Sequence, residues 1–480
     1  MAYNYEYPYV DPNRYNSDWL LSKMKELEGE INGIISGLPT PDAFSAMYAN
    51  VKLYGAKGDG YTDDTAACQR AMDAGFNMVY FPPGTYMVGR INVPSNTTVF
   101  AKKGSVTLRA LDNVFFINKS DGVTGGYNAN ENITITGFKF DCVNRVMTAV
   151  AMGHANNIKI YDNHFENLAA WHFIEINGCG NVLISGNDFR NYNPNQTGAG
   201  TEMIQLDYML NNEVFPWFGP YDKTFDRGIF ITGNYFSNDY LPKKSPWTNC
   251  AIGSHTGESE WGFEPHDVIV ANNNFFCVGF ALKFCMLVGA VIANNIADYV
   301  CSFYSAASGG RFAFVNIMNN YAYGVFPDET VVSDNYRGIT NITNPLCQYA
   351  HITGNTIIHF YGHGIAIQGT KNVIDSNYCD CSDSPVLAAQ EISGIYVMYN
   401  DQGCIYSNNE CTVMKLSQKQ AGDNAILKNN HAKKLIVGAI YTPPHVYNDI
   451  YDSVNNNFKP TTWYVLNTLF GSTYIDKQGY

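Results

Sequence analysis

From residue 132 onward the chain runs in short alternations of apolar and polar positions that close on an asparagine turn, often followed by an aromatic. The pattern reads NITITGFKF from Asn132, NIKIYDNHF from Asn157, NVLISGNDF from Asn181, GIFITGNYF from Gly228 and DVIVANNNF from Asp267. Weaker copies end near Asn295, Asn320, Asn355, Asn377, Asn409 and Asn430, and several spacings are 21 to 25 residues, as from Asn163 to Asn187 and from Asn273 to Asn295. Period-two alternation places one face of each run inward. A unit this short, repeated this often, predicts an all-β, right-handed parallel β-helix with about one coil per repeat. A β-propeller needs about 40 residues per blade and does not fit. Asparagine suits the turns because it tolerates left-handed backbone, and stacked asparagines can hydrogen-bond between coils. Long intervals at Asn187–Asn234, Asn234–Asn273 and Asn320–Asn355 are insertions; the first two carry Trp217, Trp247 and Trp261. In a solenoid such insertions become loops on one side, often the binding side.

The N-terminal part follows a different period. Leu20, Met24, Leu27, Ile31, Ile34 and Leu38 are spaced 4, 3, 4, 3 and 4, the seam of a coiled coil. With Gly29, Gly33 and Gly37 inside, so short a helix is not stable alone. It is either one amphipathic helix packed on its own body or, the reading favoured here, a short neck holding a homotrimer. The expected organisation is an attachment segment at 1–19, a helical neck at 20–40, the β-helix with an N-terminal capping helix at 46–440, and a C-terminal cap or trimerisation segment at 441–480. The last boundary rests on Pro443 and Pro444, which interrupt the repeat.

Composition narrows the class. The chain is 46% hydrophobic but 15% charged, and its net charge is −13. That balance disfavours nucleic acid, whose binding neutralises phosphates, and docking on an anionic membrane. No segment reaches the roughly 18 apolar residues of a membrane span, so membrane insertion is not expected. Residues 1–10 lack the basic and apolar regions of a signal peptide, which points to synthesis in a cytoplasm without Sec export. The twelve cysteines form no CxxC pair, so they read as small buried apolar residues, with no metal site and no cofactor expected.

The segment VKLYGAKGDGYTDDTAACQRAM from Val51, followed by VYFPPGTYMVG from Val79, resembles the opening of the pectate-lyase-like (glycoside hydrolase 28-related) β-helix superfamily. That superfamily is common in phage tailspikes and polysaccharide depolymerases. In this opening Asp63, Asp64 and Thr65 read as a cap for a helix holding Cys68 and Met72, which would cover the open end of the solenoid. The alternative, that Asp59, Asp63 and Asp64 hold a metal or do catalysis, is the weaker one. The stretch YPYVDPNRYNSDWL resembles tail proteins of phages that infect Gram-positive bacteria. That resemblance implies a trimeric virion protein that joins other tail proteins through its N-terminus and binds or cuts a bacterial surface glycan. The paired-aspartate signature of the pectin-degrading hydrolases is absent, so their mechanism does not transfer.

Aligning the coils on their asparagines brings FIEIN (Phe173 to Asn177), MIQLD (Met203 to Asp207), AIGSH (Ala251 to His255) and ALKFC (Ala281 to Cys285) into register. Their isoleucines and leucines point inward. One outward column stacks Glu175, Gln205, Gly253 and Lys283, and beside it run Asn177, Asp207, His255 and Cys285. From coil spacing and strand rise, Glu175 and Asp207 are separated by roughly 8 Å, which falls in the range of an inverting acid and base pair. Asp207 is the central candidate carboxylate, with Glu202 or Glu175 as its partner and His255 as a proton-handling neighbour. Glu202 precedes its strand, so strict alternation turns it inward unless it sits in the bend. Gln205, Trp217, Asp226, Trp261, Glu264, His266 and Lys283 are candidates for substrate binding, because aromatic faces stack on sugar rings and polar groups take hydroxyls. Against this stands the ordinary reading of such columns as solvated polar ladders.

The function expected first is a phage tailspike hydrolase acting on a bacterial surface polysaccharide or teichoic acid. A polysaccharide lyase with Lys283 or His255 as base is second, and it needs an anionic substrate that the net charge disfavours. A spike that holds glycan without cutting it is third. A free-living secreted enzyme is fourth, weakened by the missing signal peptide.

Overall fold

The computed structural model describes residues 17–36, 47–192, 202–211, 215–238, 250–254, 265–285, 287–306, 312–325, 337–341, 347–381, 393–397, 403–417, 425–438, 444–454 and 464–478. The chain divides into two compact units, residues 1–48 and 49–480. In the first, Ser17–Ser36 forms one α-helix on which Leu21 is half exposed and Met24, Leu27 and Ile31 are partly covered. The remainder of the expected attachment segment and neck lies outside the described residues, as does Leu38.

The second unit is a right-handed parallel β-helix. Each strand pairs in parallel with the equivalent strand of the next coil, and the one antiparallel pairing among the described residues joins Tyr464–Phe470 to Thr473–Gln478 at the C-terminal end. At the other end the α-helix Thr65–Met72 buries Ala67, Cys68, Ala71 and Met72. The aspartates around it are structural. Asp59 accepts from the N–H groups of Tyr61 and Thr62, Asp63 from Thr65 N–H, and Asp64 from Lys57 and Gly58. The cap of that helix therefore comes from Asp63, while Asp64 ties down the preceding loop.

Two buried columns explain why the repeat folds this way. Phe140, Phe165, Phe189, Phe236 and Phe275 are cross-strand partners, and their rings stack at 4.5–5.0 Å and 6–12°. Two residues before each of the last four stands a ladder asparagine. From Asn163 through Asn187, Asn234, Asn273, Asn295, Asn320, Asn355, Asn377 and Asn409 to Asn430, each backbone N–H and each side-chain Nδ2 donates to Oδ1 of the next asparagine. The second Nδ2 hydrogen goes to a main-chain carbonyl of the preceding coil, as from Asn163 to Ile135 and from Asn273 to Ile231. The side-chain amides of these ladder asparagines are thus satisfied, which is the condition for burying them.

The left-handed backbone expected of these asparagines belongs to the residue before each one. Asp162, Gly186, Gly233, Asn272, Asn294, Asn319, Gly354, Ser376, Asn408 and Asn429 all have φ between 53° and 66°. Turn formation and interstrand bonding are therefore divided between two adjacent positions. The solenoid also runs past residue 440, beyond the expected boundary. His445–Tyr447 pairs with Ile426–Lys428, and the ladder continues through Asp449, whose Oδ1 accepts from Asn430 N–H at 2.8 Å, to Thr468. A search for asparagine misses these last steps because other residues occupy them. All twelve cysteines are free, and eleven are buried as expected.

Candidate active site

The expected register is found. Glu175 pairs with Gln205, Gln205 with Gly253 and Gly253 with Lys283, while Asn177 pairs with Asp207. His255, Trp261 and Glu264 lie outside the described residues, as does Trp247.

Exposure departs from expectation. Glu175, Gln205 and Asp207 were to face solvent, yet their exposures are 4%, 1% and 2%, and Glu202 is at 4%. The flank of this face is apolar: Ile117 and Ala151 occupy the two coils before Glu175 in the same column. The segment that leaves the strand Glu202–Asp207 folds back over it. Met209, Phe215 and Phe218 close with Val114, Ile117 and Ala151 into a second apolar cluster outside the coil, on which Trp217 and Tyr221 rest half-buried. Covering apolar surface drives that fold-back. The approach needs glycine at two strand ends. A Cβ on Gly153 would lie 2.4 Å from the Phe218 ring, and one on Gly178 2.7 Å from Thr224 O.

Beside this cover the buried polar groups hold each other. Thr148 Oγ1 donates to Glu175 Oε2 at 2.8 Å, and Asn177 Nδ2 donates to Glu175 Oε1 at 2.8 Å. Gln205 Nε2 donates to Asp207 Oδ2. Glu202 sits on the inward parity, as strict alternation requires, and the ring of His172 lies against it: Nδ1 is 2.8 Å from Glu202 O and 3.9 Å from Oε2. Thr148 and His172 were not among the sequence candidates. Register alone could have found Thr148, which pairs with His172. His172 reads from sequence as an ordinary core histidine.

Asp226 ends the covering segment. It is fully buried, Cys179 N–H donates to its Oδ1 at 2.7 Å, and burial, with Asp207 nearby, pushes its carboxyl well above the usual carboxylate range. That places it on the main chain rather than in an open groove, as its assignment to substrate binding had required. Among the described residues, its Oδ2 and Asn177 Oδ1 have no hydrogen-bond partner. Trp217 is likewise committed in part to packing. Lys283 is half-buried with Nζ 5.3 Å from the Phe280 ring. His266 belongs to the neighbouring sheet, where it pairs with Arg227 and packs its ring at 4.9 Å on Phe225. Cys285, beside the cluster, is held as a thiol by burial that pushes it up to about 12.

The arrangement can therefore orient two carboxylates, Glu175 and Asp207, from consecutive coils, with Glu202 at the start of the strand that ends in Asp207 and the buried carboxyl of Asp226 nearby. Among the described residues no group of three or more His, Cys, Asp or Glu is placed to hold a metal. An open groove of ≈ 430 Å³ lies on another sheet, lined by Asn96, Thr98, Asn132, Thr134, Asn157 and Lys159 among others, and it contains none of the carboxylates.

Comparison with known proteins agrees with the fold. The chain is 25% identical over 439 residues to plasmin and fibronectin-binding protein A of Streptococcus pneumoniae, covering 82% of this chain and 58% of that protein. It is 40% identical over 109 residues to the preneck appendage protein of Bacillus phage PZA, covering 22% of this chain and 12% of that protein. The chain thus spans under two thirds of the length of either relative. The crystal structure of PfbA, a surface adhesin of Streptococcus pneumoniae, superposes with a TM-score of 0.54 at 19% identity, covering 85% of this chain and 93% of that one. Residues 48–274 match the family model described as rhamnogalacturonase A/epimerase, pectate lyase-like. That match spans just under half of the chain, and over those residues the chain is similar to the pectate-lyase-like family.

Proposed function

We propose that this protein is a phage tail appendage that binds a surface glycan of a Gram-positive bacterium, a polysaccharide or teichoic acid, and hydrolyses its glycosidic bonds. Asp207 is the central carboxylate, with Glu175 or Glu202 as its partner. The observation that carries the reading is the oriented pair itself: Glu175 fixed by Thr148 and Asn177, and Asp207 by Gln205, on paired coils beside an inserted segment. Carboxylates held by neighbouring donors are the equipment of acid and base catalysis on sugars. The phage setting is supported by the preneck appendage relatives of Bacillus phages PZA and phi29. In that setting the protein is made in the host cytoplasm, acts from the virion tail through contacts of its N-terminus with other tail proteins, and trimerises through the seam on Ser17–Ser36.

A second reading is a spike that holds its receptor without cutting. It is favoured by the burial of every described carboxylate of the cluster and by the likeness to plasmin and fibronectin-binding protein A. The two part on one assay, the release of reducing ends from purified wall polysaccharide and teichoic acid. Hydrolysis should fall about 100-fold or more in Asp207→Asn and in Glu175→Gln or Glu202→Gln with folding intact. Products absorbing in the ultraviolet would indicate a lyase instead. Saturable binding with no cleavage by the wild type would sink the hydrolase reading and leave the adhesin.

A further inference from the structure

One buried histidine takes no part in the chemistry proposed above. His154 follows directly on the strand Phe138–Gly153, is fully enclosed, and has φ 52°. Its ring lies between two loops. Nδ1 is 2.8 Å from Gly126 O and Nε2 is 2.7 Å from Pro220 O. A carbonyl oxygen only accepts, and a neutral imidazole carries a single N–H. Both contacts are hydrogen bonds only when both ring nitrogens are protonated. Asp222 stands beside the ring, with Oδ1 3.9 Å from Nε2. Other charged groups on the surrounding elements have their own partners: Asp121 accepts from Val123 and Thr124, Asp226 from Cys179, and Arg227 lies over the Tyr127 ring. The covering segment also carries Glu213 and Lys223.

The same two loops are joined at two further points. Gly126 N–H donates to Asp222 Oδ2 at 2.9 Å, and Tyr127 Oη donates to Phe225 O at 2.8 Å. Across the covering segment, Met209 N–H bonds Thr224 O and Lys223 N–H bonds Met209 O. This segment begins immediately after Asp207 and ends at Asp226. A strap whose two ends are carboxyl residues fixes the placement of both.

We infer that His154 is a positioning residue: set between Gly126 O and Pro220 O, its ring ties the turn around Gly126 to the strap between Asp207 and Asp226. The importance of the strap for catalysis rests on the hydrolase reading, but the latch itself does not. The test is hydrogen–deuterium exchange of the full chain, followed by mass spectrometry, with peptides covering 120–128 and 215–226 compared with the ladder peptide around Ile229 to Asn234. In His154→Leu, which donates to neither carbonyl, protection of the two loops relative to the ladder should fall about tenfold, the worth of one hydrogen bond. His154→Gln, whose two N–H donors share one nitrogen, should restore part of that protection. A folded Leu variant as protected as wild type would overturn the inference, and so would a loss shared equally by the loops and the ladder. A loss confined to the two loops in a protein that cuts no glycan would uphold the latch and discard only the hydrolase.

Discussion

Two polar columns are buried in this solenoid, and they are built on opposite terms. Along the asparagine ladder each amide donates twice and accepts twice, so no group is left over. Along Glu175, Asn177, Asp207 and Asp226 acceptors outnumber donors, and Asn177 Oδ1 and Asp226 Oδ2 are unpartnered among the described residues. A buried polar group without a partner costs roughly 1–3 kcal/mol. The first column is what a fold does with buried polarity when only stability is at stake. The second resembles a site that accepts instability in return for chemistry.

The contrast can be broken most forcefully in the middle of the ladder. Asn273→Ala removes the acceptor for Asn234 N–H and Nδ2 and the donor to Ile231 O and Asn295 Oδ1. Urea unfolding should show a loss of about 3 kcal/mol or more. A loss under about 1 kcal/mol would mean that the ladder is only a decoration of the turns. Asp449→Asn sharpens the contrast, because Asp449 is a carboxyl placed in the amide column, where burial raises it to about 7. Its native pKa lies above the unfolded value of about 4, so its share of stability is whole below that value and declines as pH rises through about 7. The slope is roughly 1.4 kcal/mol per pH unit in that window. The asparagine variant should lose the slope and be the more stable protein at pH 8; an unchanged pH profile would refute the assignment. The smallest effect is expected from Asp226→Asn, which keeps an oxygen for Cys179 N–H and removes a carboxyl that burial disfavours. It should gain on the order of 1 kcal/mol at pH 8 relative to pH 5, read from the same unfolding curves, while glycan cleavage falls. A variant that is both stabler and fully active would return Asp226 to the scaffold.

The body of the fold was legible because its signals are local: an asparagine and, two residues later, a phenylalanine, repeated at one-coil spacing. Register followed from the asparagines, which is why Glu175 and Gln205 could be paired in advance. What could not be read was what covers what. The apolar cover beside this face is made by a segment returning over Ile117 and Ala151, about 90 and 60 positions before Asp207. The bonds of His154 run to Gly126 and Pro220, 28 and 66 positions away, through main-chain oxygens that no residue pattern marks. The continuation through Asp449 and Thr468 was hidden for the opposite reason: the geometry persisted while the residue type changed.

The ladder also acts as a timing mark. The 47 positions between Asn187 and Asn234 and the 21 between Asn409 and Asn430 end in nearly the same bond, 3.0 and 3.1 Å from N–H to Oδ1. Whatever length of chain is spent between marks, the next coil starts in phase. Loops on this protein can therefore lengthen, shorten or be exchanged wholesale without the error travelling to the following coil. A surface that must keep pace with a changing partner can be rewritten one loop at a time on a spine that never notices.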